Sequence, residues 1–126
     1  MATEQLVADN TVSLPANGDL SANQFKAVDI NSSGNVVLAS SAGQRVIGVQ
    51  QNKPSAAGQG TAVAVAGITK MLSSGTIAAG ALVTTTNAGL AVTAASGNFI
   101  LGRAVTGASA NDVFEVLLMP GSAAVP

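Results

Sequence analysis

The chain has 126 residues, with five lysines and arginines against six acids, no histidine and no cysteine. A chain of this length closes one core. The scattered cations Lys26, Arg45, Lys53, Lys70 and Arg103 form no nucleic-acid footprint, and the missing histidine and cysteine exclude histidine-based triads, thiol nucleophiles, disulfides and imidazole or thiolate metal sites. Hydrophobic residues make up 48% of the sequence, largely Ala and Val, with three Phe and no Trp or Tyr. At about 25 cal/mol per Å² of buried apolar surface, such small side chains stabilise a single core weakly, and burial between subunits is the natural supplement.

The N-terminus, MATEQLVADN, lacks the basic start and apolar core of a signal peptide, and no apolar run approaches the roughly 18 residues of a membrane span. A soluble protein, not exported by a cleaved signal and not bound to membrane, is the expectation. Residues 1–19 are polar and broken by Asn10, Pro15, Asn17, Gly18 and Asp19, with apolar touches at Leu6-Val7 and Val12-Ser13-Leu14. They read as an extended N-terminal arm or a plain disordered terminus, ahead of a single β domain over 20–126. As an arm, Leu6, Val7, Val12, Ser13 and Leu14 are its candidate partner-binding residues, able to pair as short strands with another sheet.

From Phe25 onward the rhythm is that of short strands. Phe25, Ala27 and Val28 or Ile30 predict a strand, Asn31-Ser32-Ser33-Gly34 its turn, and Asn35 to Ala39 its return. Arg45 to Gln51 and Thr61 to Ala66 predict two more strands, joined by a connection rich in Asn52, Pro54, Gly58 and Gly60. Val63 and Val65 are odd-numbered while Ile68 and Leu72 are even, so a bulge at Gly67 is expected to bring all four onto one face. Ser73 to Ala81 is a weak helix candidate interrupted by Gly75 and Gly80. Ala81 to Thr86, Asn87-Ala88-Gly89 and Leu90 to Thr93 form a second predicted hairpin, followed by strands over Phe99 to Val105 and Val113 to Met119.

The second set repeats the first at a spacing of about 54 residues, in the same order of elements. Gly34 aligns with Gly89 and Gly48 with Gly102, with one residue of slippage between them. About nine short strands without a confident helix predict an all-β fold, a small antiparallel barrel or sandwich built from two similar halves.

No cofactor or metal site is legible, and no enzymatic activity is expected. Asp112 and Glu115 are close in sequence, but a spacing of three along a strand sets them on opposite faces, as surface charge and not an acid/base pair. Gly58-Gln59-Gly60 lacks the lysine and helix of a phosphate loop. Lys70 lacks the Ala-Met before it and the hairpin tip that present the lysine of biotin carriers, and Asn31-Ser32-Ser33, although a glycosylation sequon, reads as a turn.

One series of motifs runs through Ile47-Gly48-Val49, Ala57-Gly58, Thr61-Ala62-Val63-Ala64-Val65-Ala66-Gly67, and Gly75-Thr76-Ile77-Ala78-Ala79-Gly80-Ala81-Leu82-Val83. It continues through Asn87-Ala88-Gly89, Ile100-Leu101-Gly102-Arg103-Ala104 and Val113 to Leu118. In these motifs, between Phe25 and Gly121, the chain resembles the head-decoration, or capsid cement, proteins of tailed bacteriophages. The long polar arm departs from that group. The resemblance implies a structural virion protein, made in the host cytoplasm, that binds the outer face of an assembled capsid through its major capsid protein and stabilises it as a homo-oligomer, commonly a trimer. A head-binding or base module of a phage tail or fibre is the alternative.

Overall fold

The computed structural model describes residues 10–126. Their ten strands are β1 Thr11–Pro15, β2 Ala27–Ile30, β3 Val36–Leu38, β4 Gly48–Gln50, β5 Gly60–Ala64, β6 Ile68–Leu72, β7 Leu82–Thr85, β8 Ala91–Thr93, β9 Gly102–Ala104 and β10 Val113–Leu118. No helix occurs among the described residues. The strands form two antiparallel five-stranded sheets with the same internal order, β1-β5-β4-β2-β3 and β6-β10-β9-β7-β8. Neither sheet closes on itself, so of the barrel and sandwich alternatives the chain takes two packed open sheets.

The repeat extends to individual hydrogen bonds. Asn31 Oδ1 accepts the amides of Ser33 and Asn35 in the first hairpin turn, and Thr86 Oγ1 accepts those of Ala88 and Leu90 in the second. Gly34 and Gly89 follow with φ of 79° and 78°, the left-handed conformation that glycine adopts without steric cost. The amide of Val65 donates to Asn10 O as that of Leu118 donates to Gly67 O, and Ala16 bridges Val36 as Ser73 bridges Ala91. Thr11 therefore corresponds to Ile68, Val28 to Val83, Gly48 to Gly102 and Val63 to Val116, with the spacing shortening as the connections between strands shorten.

The Ile-Gly and Leu-Gly steps have a shared physical cause. A Cβ on Gly48 would lie 2.0 Å from Ala64 O and 3.0 Å from Val63 Cγ1; one on Gly102 would lie 2.4 Å from Leu117 O and 2.8 Å from Val116 Cγ1. Each glycine thus admits the backbone of the neighbouring strand at the same place in its sheet.

Two clusters fill the interior. Ala16, Leu20, Val28, Val36 and Val63 form the core of the first half, on what we call the front of its sheet, with Val12, Leu14, Ile47 and Val65 packed against them. The matching front of the second half, including Met71, Ile77, Val83, Ala91, Leu101, Val116 and Leu118, belongs to a larger cluster that also takes in Ala27, Val49 and Ala64 from the back of the first sheet. Those three are register neighbours, Ala27 opposite Val49 and Val49 opposite Ala64, and form one row across three strands. The first sheet therefore lays its back on the front of the second. Hydrogen bonds fasten the contact: Leu72 N–H to Phe25 O, Ala27 N–H to Gly89 O, Gly43 N–H to Thr85 O, and Gln51 Nε2 to Thr69 Oγ1.

Two local expectations change. Gly67, at φ 78°, lies outside any strand and turns the chain from β5 in the first sheet to β6 in the second. Ile68 consequently points outward while Thr69 and Met71 are buried, so Val63, Val65, Ile68 and Leu72 share no face. Residues 73–81 form no helix; Ile77 is held in the core by paired backbone bonds with Ala108. The strand beyond the expected nine is β1, within the segment read as an arm, and it pairs with β5 over five residues from Thr11↔Ala64 to Pro15↔Gly60.

Gly48→Ala and Gly102→Ala are each expected to lower stability by about 1–3 kcal/mol, because the added methyl meets backbone that cannot rotate away. Gly75→Ala, whose Cβ would meet open space, serves as the neutral comparison. Urea denaturation of the three variants against the parent checks this.

Candidate functional site

Among the described residues no group of three or more acids could hold a metal ion. Asp112 lies just before β10 and its carboxylate accepts the Ser109 amide at 2.9 Å, whereas Glu115 lies within β10 opposite Lys70 of β6. The two acids thus stand in different surroundings, one in a turn and one in mid-strand. Lys70 sits in mid-strand and not at a hairpin tip. Asn31 is committed to its turn and to Asn17 Oδ1 at 3.0 Å, and Gly58 belongs to a turn that Gln59 braces by accepting the Ser55 amide.

Of the partner-binding candidates, Leu6 and Val7 lie outside the described residues. Val12, Ser13 and Leu14 are in β1, the outermost described strand of the first sheet. Val12 and Leu14 turn inward and are half-buried against the first core, while Ser13 is exposed on the other side of the strand. Pro15 ends the strand, and the chain passes through the buried Ala16 and Leu20 into the first hairpin. Between them Asp19 accepts both the hydroxyl of Ser21 at 2.6 Å and its amide at 3.0 Å, and these bonds hold its carboxyl below the usual carboxylate range.

A shallow cleft opens where the halves meet, lined by Arg45, Ile47, Val65, Phe99, Leu101 and Leu118. The Arg45 guanidinium lies 4.6 Å from the centre of the Phe99 ring and covers one wall. These residues give the cleft an apolar floor for packing, beside the Arg45 cation and the Ser122 hydroxyl.

The larger surface is the back of the second sheet. Across β6, β10, β9 and β7 the register sets Ile68 opposite Leu117, Leu117 opposite Arg103 and Arg103 opposite Leu82. Lys70 with Glu115 and Leu72 with Val113 form the next two rows. Ile68, Leu82, Val113 and Leu117, together with Val105 just past β9, account for five of the six exposed large apolar side chains among the described residues. This face escapes a reading of strand periodicity. The signal for it is that β10, Val-Phe-Glu-Val-Leu-Leu, is apolar on both sides, which a sheet with one wet face does not require.

The family model for phage cement proteins matches residues 8–120. The chain belongs to the phage cement protein family. It is a structural component of the phage virion, associated with the capsid. Among solved structures it is similar to the head fiber gp8.5 N base of bacteriophage phi29, with a TM-score of 0.73 over 90% of this chain and 98% of that chain. Sequence identity to that base is 13%, so the likeness concerns the fold. No curated protein matches the chain in sequence.

For this cement protein the Asp19 turn sets a pH dependence. A carboxyl held low in the folded state contributes stability at neutral pH, and that contribution is lost as pH falls through the folded value. In an NMR titration Asp19 should titrate below the ordinary range, and Ser21→Ala should move its midpoint upward.

Proposed function

We propose that this cement protein binds the outer surface of the assembled phage capsid, contacts the major capsid protein there, and acts as a homo-oligomer, a trimer, with no enzymatic activity. The observation that carries this reading is the family match across nearly the whole described domain. The exposed apolar face of the second sheet supports it, since it offers a surface for noncovalent contact.

The physical task of such a protein is to add noncovalent contact across neighbouring capsid subunits. A small Ala-rich domain makes modest contacts singly, but many copies on one shell stabilise it collectively, since each binds the intact shell in preference to its dissociated parts. We assign the N-terminal segment a share of this contact. Leu6 and Val7, together with Val12, Ser13 and Leu14 of β1, are the residues to which we assign that contact with the capsid subunit.

The likeness to the phi29 head fiber base supports a second reading, in which the domain is the base of a fibre. The two differ in where the protein sits and in the effect of removing it. A cement protein raises the resistance of the shell, whereas a fibre base leaves it unchanged.

Purified protein added to capsids that lack it should bind and raise the temperature at which the shells open, read by calorimetry and by release of packaged nucleic acid. Binding without added resistance would favour the fibre-base reading, and failure to bind would reject both. Deleting residues 2–9, which spares β1, should preserve the thermal melting of the free domain and weaken capsid binding at least tenfold. Unchanged binding would place the contact elsewhere on the domain.

A further inference from the structure

The two halves carry the same sheet, yet their backs meet opposite fates. In the first half the back row is Thr11, Ala64, Val49 and Ala27, and the last three are buried on the second half. The corresponding row of the second half is Ile68, Leu117, Arg103 and Leu82. Ala27 is 0% exposed and Ala64 7%, against 37% for Leu82 and 43% for Leu117; Ile68, at 59%, is the most exposed large apolar residue described. Side chains at these positions are larger in the half where nothing within the described chain covers them. Solvation alone would favour the opposite assignment, since water penalises Leu and Ile more than Ala or Thr.

We propose that the back of the second sheet is the surface through which this protein binds a second copy of itself. The inference rests on the homo-oligomer of the proposed function and supplies its contact. Two observations select a second copy as the occupant. First, the equivalent face of the first half is buried on a sheet of this same chain, so the back of this sheet type is a surface that the protein's own sequence covers. Second, the face bears both signs of charge within its apolar rows, with Lys70 beside Glu115 in one row and Arg103 in the next. Arg103 is pinned along the sheet by its Nε–H bond to Gly80 O at 2.8 Å. A three-fold rotation that gathers these faces about one axis places Glu115 of each copy near Lys70 or Arg103 of the next, the complementarity that a closed ring of three requires. Ile68, Leu117, Leu82 and Val113 then supply apolar contact on either side of the charges.

The test exploits the repeat. Ile68→Thr, Leu82→Ala and Leu117→Ala together install residues that the first half carries at the same register, so the strands accept them. Sedimentation equilibrium of the full chain should show an oligomer in the parent and at least a tenfold weaker association in the triple variant, with unchanged far-UV circular dichroism. An independent readout uses the absence of cysteine. In an otherwise native chain, the thiol of Leu117→Cys should react with a maleimide at least tenfold more slowly than that of Ser32→Cys, which lies in an exposed turn. A monomeric parent across the concentration range overturns the proposal. So does a triple variant that associates like the parent, or equal thiol reactivity at the two positions. Capsid binding, measured in parallel, separates this proposal from the capsid-binding function. A monomeric parent whose triple variant loses capsid binding assigns the face to the capsid, whereas an oligomer that depends on the face but ignores capsids keeps this inference and rejects that function.

Discussion

The close approach of the first sheet's back to the second sheet's front governs the rest of this molecule. Sheets normally pack about 10 Å apart with interdigitated side chains, and here one side of the contact is built largely from Ala27, Val49 and Ala64. Small residues on that side leave room for Met71, Val83, Phe114 and Val116 on the other. The same closeness lets backbone groups of one half bond those of the other, as at Ala27 with Gly89 and Leu72 with Phe25. A domain with three aromatic residues thereby obtains one continuous core from two thin layers.

Each half also solves a problem of its own. Gln50, fully buried, donates through its amide to Leu20 O and Asn52 O at 2.8 Å, fastening the loop after β1 over the front of the first sheet. The corresponding residue of the second half is Ala104, where the covering sheet needs an apolar surface and no tether. Thr61 and Phe114 differ in the same sense: the residue facing the other sheet is large and apolar, and the one facing its own loop is small and polar. Phe25 and Gly80 hold equivalent positions at φ 66° and 85°. The backbone conformation has thus been kept where the side chain has changed, at a steric cost that glycine avoids.

The parts legible in the sequence are those set by local chemistry. Both hairpins come from their turns, Asn31 to Gly34 and Asn87 to Gly89, and the repeat is visible through Gly48 and Gly102 because a backbone contact tolerates no side chain there. The features that escape pattern reading are set by tertiary contact. Ala and Val occupy both faces of several strands, so alternation does not say which side is covered, and the break at Gly67 reads equally well as a bulge or as a passage between sheets. The role of β1 is obscured by its polar flanks, although Val12 and Leu14 alternate as its inward pair. The exposed row on the second sheet is invisible until the strands are placed side by side, since Ile68, Leu82, Arg103 and Leu117 come from four separate stretches.

Back-to-front packing of like units has no natural end. A lone half able to lay its back on the front of another would stack without limit, as heterologous contacts that fail to close produce filaments. The covalent pair found here is a stack terminated at two. The loop tethered by Gln50 seals the leading face of the first unit, and the second unit presents Arg103 and larger side chains on its trailing face, where a small, flat row would accept a further copy of the same kind. Differences between the halves thus act as end caps, in the way that the outermost units of a solenoid carry altered faces, and they convert a polymerising motif into a particle of defined size.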